Sequence, residues 1–262
     1  MSRYMPIEAN LHAHAGWLPY TDYQFAAGDA LAPVTLEEVP HVLKAVPLAF
    51  RRLDEGLYQL VAVQALTGGL NLCVAPDGRW LSGYVPACYR AHPFRLQPSE
   101  DRRQWRLCVD VESGLWLDDA RQQGECCFTE DGVESSRLAN IRAFLEKLVR
   151  GRILAARAVK ALAAEGLIQP WPLKTQDEHE QTHEVEGLYR IDEPALNALP
   201  EDRLAALRDA GGLSLAYAQL LSQHRLNQLA QLYRLRHAVS PPAESLDEWF
   251  DGDEELHLDF DS

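Results

Sequence analysis

The residues with the most direct claim to chemistry are His179, Glu180 and His183, which spell His-Glu-x-x-His within "DEHEQTHE". On a helix, two histidines one turn apart can hold a zinc ion while the glutamate activates its bound water. That arrangement works only if the helix is buried against a core. From Lys174 to Glu184 there is no aliphatic or aromatic residue. A helix there would have no face to pack, so the stretch is expected to be a solvated polar loop. His12 and His14 offer two imidazoles on one side of an extended segment, with no third ligand in view. The five cysteines, Cys73, Cys88, Cys108, Cys126 and Cys127, contain no C-x-x-C pair and have no base beside them in sequence. They read as reduced, mostly buried thiols. Asp110, Glu112, Asp118 and Asp119 supply carboxylates, but a solvated charged edge explains them more simply than a site does. The strings G-x-S-x-G, G-x-G-x-x-G and the P-loop are absent, so serine hydrolase, dinucleotide-binding and nucleotide-hydrolysing chemistry have no support. No catalytic residue, metal ligand or cofactor is expected.

A different signal runs from Asn71 to Leu96, "NLCVAPDGRWLSGYVPACYRAHPFRL". Asp77-Gly78 should turn the chain between Val74 and Trp80, because glycine accepts positive φ. Asp77 is placed to hold Arg79 or the backbone of that turn. Trp80, Tyr84 and Tyr89, interleaved with Arg79 and Arg90, combine flat apolar bodies with polar tips. Such residues build ligand pockets and interfaces, and they also build aromatic cores beneath sheets. Asp77, Arg79, Trp80, Tyr84, Tyr89 and Arg90 are the candidate binding residues of the body.

The charge distribution narrows the partners. Over 262 residues the formal net charge is −14. Ser240 to Ser262 contains nine acidic residues and no lysine or arginine, which leaves −5 for the remainder. There is no basic cluster in the sequence of the kind that phosphate contacts demand, so nucleic acid is not an expected partner. The acidic tail carries apolar anchors. Leu246, Trp249 and Phe250 share one face of a helical turn; Leu256, Leu258 and Phe260 share one face of a strand. Trp249, Phe250, Leu258 and Phe260 are therefore further candidate binding residues, suited to a groove or a sheet edge. Packing of the tail on its own body is the alternative. No 18-residue apolar run occurs, so membrane insertion is not expected. No apolar leader follows Met1, which points to the cytoplasm; export by a route without such a signal stays open.

The elements that must position these residues change character along the chain. Residues 1–134 read as strand-rich, with "LYQLVAVQAL" and "LNLCVA" separated by Thr67-Gly68-Gly69, a hairpin signal, and "QWRLCVDV" as a further strand. "TLEEVPHVL" suggests a turn or two of helix. Residues 135–239 read as helical with one added strand, "VEGLYRID", packed with the first part as one unit; residues 240–262 are the acidic tail. Ser135 or Ser136 can cap a helix with an apolar stripe from Leu138 to Leu162, ended by Gly166. Two short helices follow before Gly211-Gly212, and a final long helix runs through "LSLAYAQLLSQHRLNQLAQLYRLRHA". The expected class is α+β: an N-terminal mixed or antiparallel sheet with C-terminal helices.

Several segments resemble one bacterial family: "YQFAAGDALAPVTLEEVPHVLKAVPLAF", "GLNLCVAPDGRWLSGYVPACYRAHPF", "FTEDGVESS", "GLYRIDEPALNALPEDRL" and "GLSLAYAQLLSQHRLNQL". Together, from about Tyr4 to Leu232, they are similar to the SapC family, whose name is linked to surface-layer production. The resemblance carries no catalytic residues with it. It implies a non-enzymatic binding or accessory protein that recognises a protein, peptide or enzyme partner. Members occur near genes for uptake receptors and flavin-dependent halogenase-like enzymes, so a partner of that enzyme type, or an envelope component, is implied. The alternative is an enzyme or enzyme subunit acting on a peptide or small molecule, metal-dependent if His179 and His183 act. A surface-layer component is the third reading.

Overall fold

In the run Leu48–Phe50 and its neighbour Leu60–Val63, residues pointing to opposite sides are all apolar, so both faces of that sheet must be covered. The computed structural model, which describes residues 3–66, 68–99, 101, 103–176 and 182–238, shows how. The first elements are β1 (Tyr4–Pro6), β2 (Gly16–Trp17), β3 (Leu31–Pro33), α1 (Val39–Val42), β4 (Leu48–Arg52) and β5 (Tyr58–Val63). Then come α2 (Ala87–Arg90), β6 (Phe94–Pro98), β7 (Trp105–Asp110), β8 (Trp116–Leu117) and β9 (Glu125–Cys126). The long helix α3 (Ser136–Ala164) is followed by β10 (Ile168–Pro170), β11 (Leu173–Gln176), β12 (Thr182–Val185) and β13 (Leu188–Ile191). The chain continues through α4 (Glu193–Asn197), α5 (Glu201–Asp209), α6 (Gly212–Ser222) and α7 (Leu226–Ala238).

The central sheet has the order β10-β13-β4-β5-β3, with antiparallel pairing throughout. Leu48, Phe50, Leu60 and Ala62 face one core, with Ala158, Val159 and Leu162 of α3 and Leu215 and Ala216 of α6. Ala49, Val61 and Val63 face the other, against Trp171, Leu188 and Leu229 of α7. A second sheet, β1-β7-β6, carries Phe94, Leu107 and Val109, which pack against Leu138, Leu145 and Leu148 of α3. α3 is therefore a spine: its first half covers one core and its second half another. Ser135 caps it by accepting the Leu138 N–H at 3.3 Å, and Gly166 follows its end at φ +68.

The fold is α+β with C-terminal helices, and three local expectations change. "LNLCVA" does not pair with β5 across Thr67-Gly68-Gly69. The buried Asn71 side chain instead donates to Ala26 O and accepts from Cys73 N, holding this segment in turns beside the sheet. The polar stretch from Lys174 is entered and left through β11 and β12, which pair Thr175 with His183, so 168–191 holds four strands rather than one. The final long helix is broken by a 3-10 turn at Gln223–Arg225. The cause is geometric: α6 packs on one face of the central sheet and α7 on the opposite face, which one straight helix cannot do.

Candidate functional site

Asp77-Gly78 forms the expected turn. Val74 and Trp80 bridge as an antiparallel pair, Gly78 sits at φ +85, and the Gly78 N–H donates to Ala75 O at 2.9 Å. Asp77 accepts from the Arg79 backbone at 3.1 Å and from Arg79 Nε at 2.6 Å, which lowers the pKa of its carboxyl. Both side chains are exposed, so this pair shapes the turn and contributes little to stability.

The aromatic residues that follow converge on one wall. Trp80 Nε1 donates to Tyr84 O at 2.9 Å, and the Trp80 ring lies 5.8 Å from Tyr89 and 5.2 Å from Tyr23. Tyr89 is 6% exposed and donates its hydroxyl to Gln64 Oε1 at 2.8 Å. The clamp behind them is Glu38, itself 4% exposed. One of its oxygens accepts from Thr35 N and Oγ1, both at 3.0 Å; the other accepts from Ala87 N at 2.6 Å and Tyr84 OH at 3.3 Å. Arg90 donates to Tyr84 OH at 2.7 Å. Burial, the Glu38 charge and its hydrogen bond together push the Tyr84 phenol up to about 12. Trp80, Tyr84 and Tyr89 are thus tied into the main core, and of the three Tyr89 lines a large cleft.

That cavity is a cleft of about 980 Å³ between the central sheet and β1-β7-β6. One wall is aromatic. Phe25 stacks flat on His92 with ring centres 3.8 Å apart, and Tyr20 and Tyr89 meet Phe25 edge-on. Burial holds the His92 imidazole below its ordinary pKa, so the stack is neutral at pH 7. The remaining walls carry Arg51 of β4, Arg95 of β6 and Arg152 of α3, with Asp22, Asp29, Asp110 and Glu112.

These charges are differently engaged. Asp110 is buried and accepts from the backbone N–H groups of Arg3 and Glu112 at 2.9 and 3.1 Å, so it is a cap rather than part of a solvated edge. Asp22 accepts from Gln24 N at 2.9 Å. Arg51 donates Nε to Gln59 Oε1 at 2.8 Å, and the Arg95 guanidinium lies 3.3 Å above the centre of the Tyr4 ring. Among the described residues neither Arg51 nor Arg152 has an ion-pair partner. Two of the four carboxylates, Asp22 and Asp110, accept backbone N–H groups, and Arg95 is held over Tyr4, so Arg51 and Arg152 are the guanidinium groups left with donors outside any ion pair among the described residues. Such donors in an aromatic-walled cleft bind carboxylates and peptide carbonyls.

A family model for SapC matches residues 7–229. The chain belongs to the SapC family. No curated protein and no solved structure matched it.

The cleft of this SapC chain gathers residues that short-range motifs do not reveal. Arg51, Arg95 and Arg152 come from three elements far apart in sequence, and no spacing marks them as a group. Two signals were present. "HPFR" closes the aromatic stretch and supplies His92 and Arg95, and Thr35-x-x-Glu38 is a capping-box string. Trp249, Phe250, Leu258 and Phe260, with His179 and Glu180, lie outside the described residues. The imidazole His12 Nδ1 accepts from Glu8 N at 3.0 Å, so it closes a turn. All five cysteines are free, and burial pushes the thiols of Cys73 and Cys127 up to about 12, leaving them protonated and shielded, whereas Cys88, pushed up likewise, is half-buried and lines the cleft. No group of three or more metal-binding side chains occurs among the described residues, and none of their helices is long and apolar enough to cross a membrane.

Proposed function

We propose that this SapC family chain is a binding or accessory protein that recognises a peptide segment of a protein or enzyme partner in the cleft between its two larger sheets. One observation carries the reading: Arg51 and Arg152, which have no ion-pair partner among the described residues, line a cleft walled by the Phe25–His92 stack. An acidic side chain or a main-chain carbonyl satisfies such donors, while the rings accept an apolar neighbour. The volume suits a short peptide stretch. The partner classes that the family suggests are an enzyme of the flavin-dependent halogenase type and an envelope component.

The test is affinity capture from the native organism with the wild-type chain and with the Arg51→Ala/Arg152→Ala variant. A charged hydrogen bond contributes about 1.5–3 kcal/mol, so retention of the main partner should fall roughly tenfold or more per lost contact. Melting temperature should change little, because Arg152 is exposed and Arg51 gives up one cross-strand hydrogen bond to Gln59. Equal retention by both proteins would sink the proposal. So would turnover of a small molecule by the isolated chain with the same dependence on Arg51 and Arg152, which would favour an enzyme.

A further inference from the structure

α3 carries seven basic residues and one acidic residue, Glu146, so the expectation that the chain has no basic cluster does not hold along this helix. Arg137 and Arg142 near its start are engaged by Glu125 and Glu134. Further along, Lys147, Arg150, Arg157 and Lys160 are exposed, and among the described residues none has an ion-pair partner. Ile153 and Leu154, 62% and 48% exposed, stand between them. Arg150, Ile153, Leu154 and Arg157 follow the i, i+3, i+4, i+7 spacing that shares one helix face. This face lies opposite Leu148, Ala155 and Leu162, which α3 buries in the core. Single exposed aliphatic residues are ordinary on a surface helix, but here two large ones are adjacent and flanked on the same face by cations without ion-pair partners among the described residues, a pattern that suits a covering partner.

We infer that the occupant of this stripe is the chain's own acidic tail, residues 240–262. The tail mirrors the stripe chemically: it holds nine carboxylates and no lysine or arginine, with Leu246, Trp249 and Phe250 spaced for a single helical face. Cations flanking an apolar centre meet carboxylates flanking an apolar centre, which fixes position as well as attraction. The chain can also reach. α7 packs on the sheet face opposite the core that α3 covers, and Arg236 near its end donates to Val74 O at 2.7 Å, so the tail starts there and must pass the edge of the sheet to reach α3. From Ala238 to Trp249 there are 11 residues, an extended span of roughly 35–40 Å. α3 itself is 29 residues long, or about 43 Å. The docked tail neutralises the basic stripe and shields Ile153 and Leu154 from water.

Zero-length carbodiimide coupling of the full chain, read by peptide mass spectrometry, tests this. The reagent joins lysine amines to carboxylates, and the chain has four lysines, Lys44, Lys147, Lys160 and Lys174. Coupling of Lys147 and Lys160 to residues 244–261 should exceed that of the exposed Lys44 by roughly tenfold. It should fall steeply in 1 M salt, where screening shortens to about 3 Å. It should fall as well in Trp249→Ser/Phe250→Ser, which keeps every charge, and in Arg150→Glu/Arg157→Glu. An equal mixture of ordinary and ¹⁵N-labelled protein should give couplings within one isotope only. Couplings between isotopes would overturn the assignment in favour of a second copy. Couplings spread evenly over the lysines, or unaffected by Trp249→Ser/Phe250→Ser, would overturn it outright.

Discussion

At the scale of single residues, the candidate site depends on positions that tolerate little change. A Cβ on Gly78 would stand 2.6 Å from Asp22 Cβ, at a φ of +85. Gly78→Ala should therefore destabilise the protein by about 1–3 kcal/mol, measured by urea unfolding, through combined backbone strain and collision. Asp77→Ala beside it should leave the urea midpoint almost unchanged, because that ion pair is solvated. Glu38 behaves oppositely. Glu38→Ala removes the acceptor of buried Thr35 N and Ala87 N, and each orphaned donor costs about 1–3 kcal/mol. Glu38→Gln keeps an acceptor and should recover a large part of that loss. His92 sets a pH dependence. Its folded pKa lies below the unfolded value because burial disfavours the cation. The unfolded chain thus takes up the proton first, so this contribution to stability is complete above about pH 6.5 and is lost as pH falls through the folded pKa. The melting temperature of the wild-type chain should fall on acidification below that point by more than that of His92→Phe, which retains the stack. A difference that does not depend on pH would show that His92 does not titrate as its burial implies.

At the scale of elements, α3 is seated by close approach. A Cβ on Gly151 would lie 2.7 Å from Glu37 Oε2 and 3.0 Å from Thr35 Cβ. Gly151→Ala should improve helix propensity by about 1 kcal/mol yet destabilise the whole, since the contact with the Thr35–Glu38 segment must open. Guanidinium chloride unfolding decides the sign. α6 is locked in another way: buried Gln219 accepts from Ile191 N at 3.0 Å and donates to Leu48 O at 3.1 Å, joining two strands to one helix. Helices and strands with uninterrupted local patterns were legible, among them α3 with its Ser135 cap, β5, β7 and the pair α4 and α5. The hairpin expected at Thr67-Gly68-Gly69 failed because Asn71 is bonded to a carbonyl 45 residues away, a partner no local pattern can show.

At the scale of the whole molecule, two sheets joined by one helical spine leave the cleft between them. The same packing shields two of the thiols. Native protein should react with a thiol reagent far more slowly at the buried Cys73 and Cys127 than unfolded protein, in which all five cysteines are open. Rapid native labelling of those two would contradict the packing.

The sequence by itself determined the α+β class, the long capped helix, the Asp77-Gly78 turn and membership of the SapC family, because each rests on residues close together in the chain or on co-linear motifs. It also placed the aromatic stretch from Trp80 to Tyr89, without deciding whether those rings would form core or site. Only the tertiary structure decided that: Glu38 draws Tyr84 and the start of α2 into the core, and Tyr89 alone borders the cleft. The tertiary structure also assembled Arg51, Arg95 and Arg152 around one opening. Their grouping follows from how two sheets are set on a shared helix, and long-range packing of that kind leaves no mark in local spacing.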